Sequence, residues 1–487
     1  MNANAPSHQF AASRAVQTMK ILRASTREVV VLVAREPGGA WPSLRLLLDG
    51  EDYATIHPGA LIAGDATVAE IAIPLPALPE TRLRAIAVAD ARTGALAPGS
   101  QLRPVATAKA LRALVIYPAG EVYDHDKVRW YRAPLEKLLS DYFNIGDMIV
   151  FDSTLKLLRY AHLEPMKIMN PTEVDIERYA SEFDFVFVRG SNFIHEKMEW
   201  FRAVEVLEKV KLPVYAIGVG AQASQNRAIE LPESSKRFWQ IVADRCAAIG
   251  VRGTFSAETL RRNGVGNVEV VGCPSIFRTC NRDLQIRVPD QRAIRKVAFS
   301  LRREADKSYT VDPEAYLRNQ RAALLKVDGQ SEMVMSSHGE QEEKAFFLRD
   351  EAAKEKAIAE FVKTGWWDGP NDTRMRDIYE RRMFSFFDVE DYDRFSQSVD
   401  LAVGYRVHGV LPAVAHGVPG VLVAYDTRSQ ELAETLKIPV VPEEALAEGG
   451  WRAVYREAAL NGLAKSYAAS YDRMRAFLDR NGVPHRM

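Results

Sequence analysis

The sequence predicts an α/β fold of two doubly wound, Rossmann-like domains, preceded by a small all-β, sandwich-like domain. Three observations carry this. Downstream of Ala108, uniformly apolar runs of strand length alternate with amphipathic helical stretches. That is the pattern of a parallel sheet covered by helices on both faces. The alternation pauses over Arg278–Arg295 and restarts at Val297, which makes two such units. Upstream of Pro104, short alternating strands are punctuated by turn signals, as in a β-sandwich.

Residues 1–25 are polar and Ala-rich and read as a flexible arm. Residues 26–105 form the β-rich accessory domain, with strands at Val29–Ala34, Leu44–Leu48, Val68–Leu75 and Leu83–Val88. Pro37-Gly38-Gly39, Asp49-Gly50 and His57-Pro58-Gly59 supply its turns. It gathers no ionisable cluster, so an accessory or carbohydrate-binding module fits it. Residues 106–290 are the first Rossmann-like domain. Its strands are Leu111–Tyr117, Phe183–Val188, Val214–Ile217, Cys246–Val251 and Val268–Val271. Its helices are Tyr131–Phe143, Glu196–Val210 and Phe255–Arg262, the last closed by Asn263-Gly264. Residues 291–445 are the second. Strands Val297–Leu301, Met333–Ser336, Leu401–Val403 and Val421–Ala424 are interleaved with helices Gln341–Lys363, Val410–Ala415 and Gln430–Leu436. Residues 446–487 are helical and pack back across the first half.

Composition narrows the function. The 64 basic and 64 acidic side chains cancel, whereas a generic nucleic-acid binder needs a basic surplus. Three cysteines, Cys246, Cys273 and Cys280, exclude a disulfide scaffold and a four-thiolate zinc site. The most apolar stretch, Leu401–Tyr425, carries Arg406, His408, Pro412, His416 and Pro419, which are costly in lipid. Met1–Lys20 has no apolar signal region, so a cytoplasmic location is expected.

Ligands of open α/β sheets bind beyond the carboxyl ends of the strands. The residues there are Gly218, Gly220, Arg252, Arg302, His338, Arg406, His408, Gly409, Tyr425 and Arg428. Glycines let backbone N–H groups approach a ligand, and Arg252, Arg406 and Arg428 each precede a helix N-terminus, which favours anions. Arg406-Val407-His408-Gly409 is the sharpest unit: a fixed cation stands two residues from a group that titrates near neutrality. The same spacing fits an arginine paired with a core carboxylate beside a helix-capping histidine. Gly218-x-Gly220-x-x-Ala223 imitates a dinucleotide fingerprint but lacks its acidic ribose partner. Asp124-His125-Asp126 reads as a solvated turn, so no metal site is expected.

Several segments together carry a family resemblance. They are Asn144-Ile145-Gly146-Asp147, Gly250-Val251-Arg252-Gly253-Thr254-Phe255-Ser256, Gly272-Cys273-Pro274-Ser275, Arg406-Val407-His408-Gly409 and Gly417-Val418-Pro419. Tyr425-Asp426 with Arg428, and Ile438-Pro439, complete the set. Over about residues 110–440 the chain resembles the polysaccharide pyruvyl transferase family. The β-rich segment and the charged insertion around Glu304–Phe384 stand outside that core.

The resemblance implies a glycosyltransferase-B type fold. It implies transfer of the enolpyruvyl-derived group of phosphoenolpyruvate to a sugar, giving a cyclic pyruvate ketal and phosphate. Arg252, Arg406 and Gly409 would bind the donor, and His408 would be the general acid, with Asn144 and Asp147 as further candidate contacts. Phosphoenolpyruvate would be a co-substrate, with no cofactor and no metal. The acceptor would be a sugar or lipid-linked oligosaccharide of exopolysaccharide synthesis, the latter bringing peripheral contact with a membrane. Two alternatives stay open: a nucleotide-sugar glycosyltransferase on the same plan, and a non-catalytic sugar-binding protein.

Overall fold

The computed structural model describes residues 19–24, 28–48, 51–62, 66–75, 86–97, 100, 111–116, 145–223, 228–303, 310, 312–338, 340–347, 349–384, 386 and 389–487. The expected helix Tyr131–Phe143, the turn Asp124–Asp126, the start of the expected strand Leu83–Val88 and Asn144 lie outside these residues. The chain forms two compact units, Met1–Thr107 and Ala108–Met487.

The first unit holds two antiparallel three-stranded sheets. One orders β1 (Met19–Ala24), β2 (Glu28–Ala34) and β5 (Val68–Pro74); the other orders β4 (Glu51–Ile56), β3 (Leu44–Leu48) and β6 (Ile86–Asp90). In β3 and β5 alternate residues go to the core, Leu44 and Leu46 and Ile71 and Ile73, the period-2 burial of a half-buried sheet, whereas β2 buries Val29, Val30, Val31 and Val33. Residues 19–24 correct the expected arm. They pair with β2 in register Met19↔Val33, and Met19 and Ile21 are buried. Four residues of alternation were too short a signal beside an Ala-rich lead-in.

Among its described residues, the second unit holds parallel sheets of four, two and six strands. In the first half, β7 (Arg112–Ile116), β8 (His162–Pro165), β9 (Phe185–Val188) and β10 (Val214–Ala216) order as β10-β9-β7-β8. The pair β11 (Ile249–Val251) and β12 (Val268–Val270) joins through a bridge from Val219 to Val251. In the second half, six parallel strands order β15-β14-β13-β16-β17-β18. They are β13 (Lys296–Ser300), β14 (Glu332–Ser336), β15 (Met383–Phe384), β16 (Leu401–Gly404), β17 (Gly420–Ala424) and β18 (Val440–Pro442). All four residues of β9 and of β16 are buried, as strands covered on both faces require.

Six helices matter for the site: α1 (Ile145–Leu157), α2 (Thr254–Arg262), α3 (Val389–Gln397), α4 (Val407–Ala415), α5 (Thr427–Leu436) and α6 (Glu457–Arg480). The expected charged helix Gln341–Lys363 is two helices, Gln341–Phe347 and Glu351–Lys363. Asp350 breaks it by accepting from the Ala353 N–H as an N-cap, after Arg349 at φ +57°. Helix α6 returns to the first half. Asn481 Oδ1 accepts from the Ala248 N–H at 3.0 Å, and Arg480 pairs with Glu269 at 2.6 Å. The segment read as a linker starts in a buried charge network. Arg278 donates to Asp152 at 2.6 Å and to Asp393 at 2.7 Å, tying α1 to α3.

Candidate active site

The site grows from the carboxyl ends of β13 and β16, adjacent strands with Ser300 opposite Gly404. Ser300 Oγ accepts from the Arg406 N–H at 3.2 Å and donates to the Arg406 carbonyl at 3.3 Å. Arg406 then caps α4, which carries His408 and Gly409 in its first turn. A side chain at Gly409 would collide with Ser300 and stand 3.2 Å from His338 Nε2. Glycine is required there by close approach.

Arg406 pairs with Glu340, which is fully buried and also accepts from the His338 N–H at 2.9 Å. Arg406 outweighs the effect of burial and holds the Glu340 carboxyl down to about 2. The core-carboxylate partner that the Arg406 spacing allowed is therefore real.

His338 lies at the end of β14 and is buried. Tyr392 Oη donates to Ser336 Oγ at 3.0 Å, so its oxygen accepts from His338 Nε2, also at 3.0 Å. Burial, and then the Arg406 charge, push the imidazole down to about 3. Ile145 at the start of α1 donates its N–H to the His338 carbonyl at 3.1 Å, so the first half reaches this corner.

His408 stands with Nε2 3.5 Å from Cys273 Sγ. It is buried, and its imidazole is held well below its ordinary range. The causes are burial first, then the charges of Arg252, Arg428, His338 and Arg406. Arg252, at the end of β11, donates from Nε to the Gly218 carbonyl at 2.9 Å and from Nη1 to Asn192 Oδ1 at 2.7 Å. Gly220 lies against its side chain, where a Cβ would fall 2.8 Å from Arg252 Cδ. Gly218 takes φ +69°. The two glycines therefore seat Arg252.

Arg428, in the first turn of α5, donates to Tyr425 Oη at 2.8 Å and pairs with Asp426 at 3.2 Å. The Arg302 guanidinium lies 5.5 Å from the centre of the Tyr425 ring, and its charge acts on His338. Asp147, in the first turn of α1, accepts from Ser191 Oγ at 3.2 Å, and its charge acts on Arg252. The fold thus brings Arg252, Arg302, Arg406, Arg428, His338, His408, Gly409 and Tyr425 to one place, with Gly218, Gly220 and Asp147 supporting Arg252.

Sequence reasoning missed Glu340, Tyr392, Asn192 and Glu431, and gave Cys273 no role of its own. Glu431, from α5, accepts from the Ser256 N–H at 3.0 Å and Ser256 Oγ at 2.7 Å. It thereby caps α2 across the two halves, and burial pushes its carboxyl up to about 7. Cys273 lay inside a quoted segment. Glu340 was hidden in an acidic run, and nothing in the sequence marks Glu431. Among the described residues, no group of three or more His, Cys, Asp or Glu converges as a metal site. No described helix is long and apolar enough to cross a membrane.

Two parallel α/β halves carry buried arginines and imidazoles at their strand ends. The chain belongs to the polysaccharide pyruvyl transferase family, a family of transferases, whose model matches residues 144–427. No curated protein matches the sequence. Solved structures similar to it include a UDP-GlcNAc 2-epimerase of Methanocaldococcus jannaschii, 12% identical, with 76% of this chain and 99% of that one covered and a TM-score of 0.37. A glycosyltransferase of Rickettsia africae is 11% identical, with 76% and 98% covered and a TM-score of 0.38. A trehalose-6-phosphate synthase is 10% identical, with 77% and 100% covered and a TM-score of 0.39.

Proposed function

We propose that this protein is a phosphoenolpyruvate-dependent pyruvyl transferase. It moves the enolpyruvyl-derived group onto a sugar of an exopolysaccharide or its lipid-linked precursor, forming a cyclic ketal and releasing phosphate. The observation that carries this reading is the pair of buried imidazoles under the charges of four arginines.

Arg252 and Arg406, from the two halves, hold the donor's phosphate and carboxylate, assisted by Arg302 and Arg428. Burial and the positive potential of the arginines together keep His408 neutral, and the donor's negative charge cancels the second of these. His408 therefore takes up a proton as the donor binds, which couples the acid to the presence of its substrate. It gives that proton to the methylene carbon. Positive character develops at the neighbouring carbon, which an acceptor hydroxyl attacks, its proton replacing the one His408 gave. Phosphate leaves carrying the proton of the second hydroxyl, which closes the ketal, and the arginines stabilise the departing anion. Phosphoenolpyruvate is the co-substrate, and the balance calls for no organic cofactor. We place the reaction in the cytoplasm, with peripheral membrane contact when the acceptor is lipid-linked.

The test is phosphate release from phosphoenolpyruvate against a panel of nitrophenyl and lipid-linked sugars. Acceptor-dependent phosphate release supports the reading. Release of a nucleotide from a nucleotide sugar, with phosphoenolpyruvate untouched, overturns it in favour of glycosyl transfer.

A further inference from the structure

The β-rich unit carries a cavity that the family core does not include. It measures about 440 Å³ and is lined by Arg35, Trp41, Ser43, His57, Gly59 and Ile62. That is within the ~300–1,000 Å³ of small-ligand sites. Its residues lie outside the 144–427 family match.

Its walls have a consistent chemistry. Trp41 is half-buried, and the Arg35 guanidinium stacks 4.9 Å from its ring centre. Arg35 is itself anchored by bonds to the Ala66 carbonyl at 2.9 Å and the Gly39 carbonyl at 3.1 Å, so the ring has a fixed backing. Ser43 Oγ lies 3.0 Å from His57 Nδ1, which orients an exposed imidazole that also lines the cavity. The second His57 nitrogen has no partner among the described residues. Gly59 leaves the space beside the indole open: a Cβ there would sit 3.4 Å from Trp41 Cδ1.

An aromatic side chain backed by Arg35, beside hydrogen-bonding groups in an open cavity of this size, suits a ligand with one apolar C–H face and a polar rim. A pyranose ring is such a ligand. Its C–H face carries slight positive charge and meets the negative π face of an indole, while its hydroxyls exchange hydrogen bonds with imidazole and hydroxyl groups. We infer that this cavity is a saccharide-binding site that takes one pyranose residue of the acceptor chain. The choice of a sugar rests on the pyruvyl-transfer reading; the cavity and its chemistry do not. A second grip on a long acceptor raises its effective concentration at the reacting centre.

The test is saturation-transfer NMR on the full chain, without phosphoenolpyruvate. The probes are methyl β-glucopyranoside, methyl β-galactopyranoside and methyl β-glucuronopyranoside, so neutral and acidic rings are separated. Transfer to the ring C–H protons of at least one probe is expected, with about tenfold weaker binding in Trp41→Ala, the size of one aromatic contact. Gly59→Leu fills the cavity without removing core atoms and is expected to weaken binding as much, at an unchanged unfolding midpoint. His408→Ala is expected to bind the probe like the parent. No transfer from any probe, or equal transfer in the parent, Trp41→Ala and Gly59→Leu, overturns the site. Neither result bears on phosphate release, so the two readings fail separately.

Discussion

Arg278 and Arg252 are both buried, 2% and 1% exposed, yet their surroundings treat them oppositely. Burial opposes the charge at both. At Arg278 it is outweighed by Asp393 and Asp152, and the guanidinium is pushed above its ordinary range. Lys156 and His416 close the same network on Asp393, at 3.3 and 3.0 Å. At Arg252 burial wins, with Arg428 adding repulsion, and the guanidinium is pushed down. Beside it His408 is pushed down by burial and by four cationic or ionisable neighbours acting in one sense. One cluster is satisfied by its own carboxylates and joins α1 to α3. The other also holds carboxylates, Glu340 on Arg406 and Asp426 on Arg428, yet burial still leaves the Arg252 charge disfavoured.

The largest expected effect sharpens this contrast at His408. His408→Ala is expected to lower turnover about 10²–10⁴-fold with little change in phosphoenolpyruvate affinity, read from steady-state kinetics and calorimetry. Parent-like turnover in a folded variant removes it as the acid. Next, Arg278→Met leaves buried carboxylates short of a partner. It is expected to cost about 3–5 kcal/mol of unfolding free energy in denaturant titrations, while the folded fraction binds donor normally. Arg252→Lys is expected to do the reverse: about 10–100-fold weaker donor binding, since an ammonium cannot reproduce the guanidinium fork, with a smaller stability loss. If both variants lose stability and neither loses affinity, the two clusters are alike and the contrast fails.

The smallest effect is one of pH. His338 sits near 3 in the folded protein, against about 6.5 in an unfolded chain. Between those values the unfolded chain binds more protons, so stability falls as pH falls, by up to about 1.4 kcal/mol per pH unit. His338→Gln is expected to flatten part of the acid limb of the unfolding midpoint between pH 6.5 and 4. An unchanged slope would show that His338 is not held neutral.

Much of the second unit was legible because a parallel sheet writes itself as apolar runs. The apolar runs end at Val251, Leu301, Ser336 and Val403, within one residue of the observed strand ends, and Arg252, His338, Arg406 and His408 follow just beyond. What stayed hidden depends on pairing in space. Glu340 meets Arg406 across 66 positions, and Glu431 meets Ser256 across 175. No periodicity encodes such a contact. Helix α1 was quoted only for its first residues, because Met148, Ile149, Val150 and Phe151 are all buried and it shows no polar face. The glycines Gly218 and Gly220 were found for a general reason, close approach to a ligand, whereas the contact they make is with Arg252.

Calorimetry of phosphoenolpyruvate binding shows whether the donor's charge carries His408 from neutral to protonated. At pH 8 the donor phosphate is fully ionised. Titrations in buffers of different ionisation enthalpy then count the protons the protein takes up. Net proton uptake by the parent, lost in His408→Ala with similar affinity in both, is expected. Binding without proton uptake, or the same uptake in His408→Ala, would contradict it.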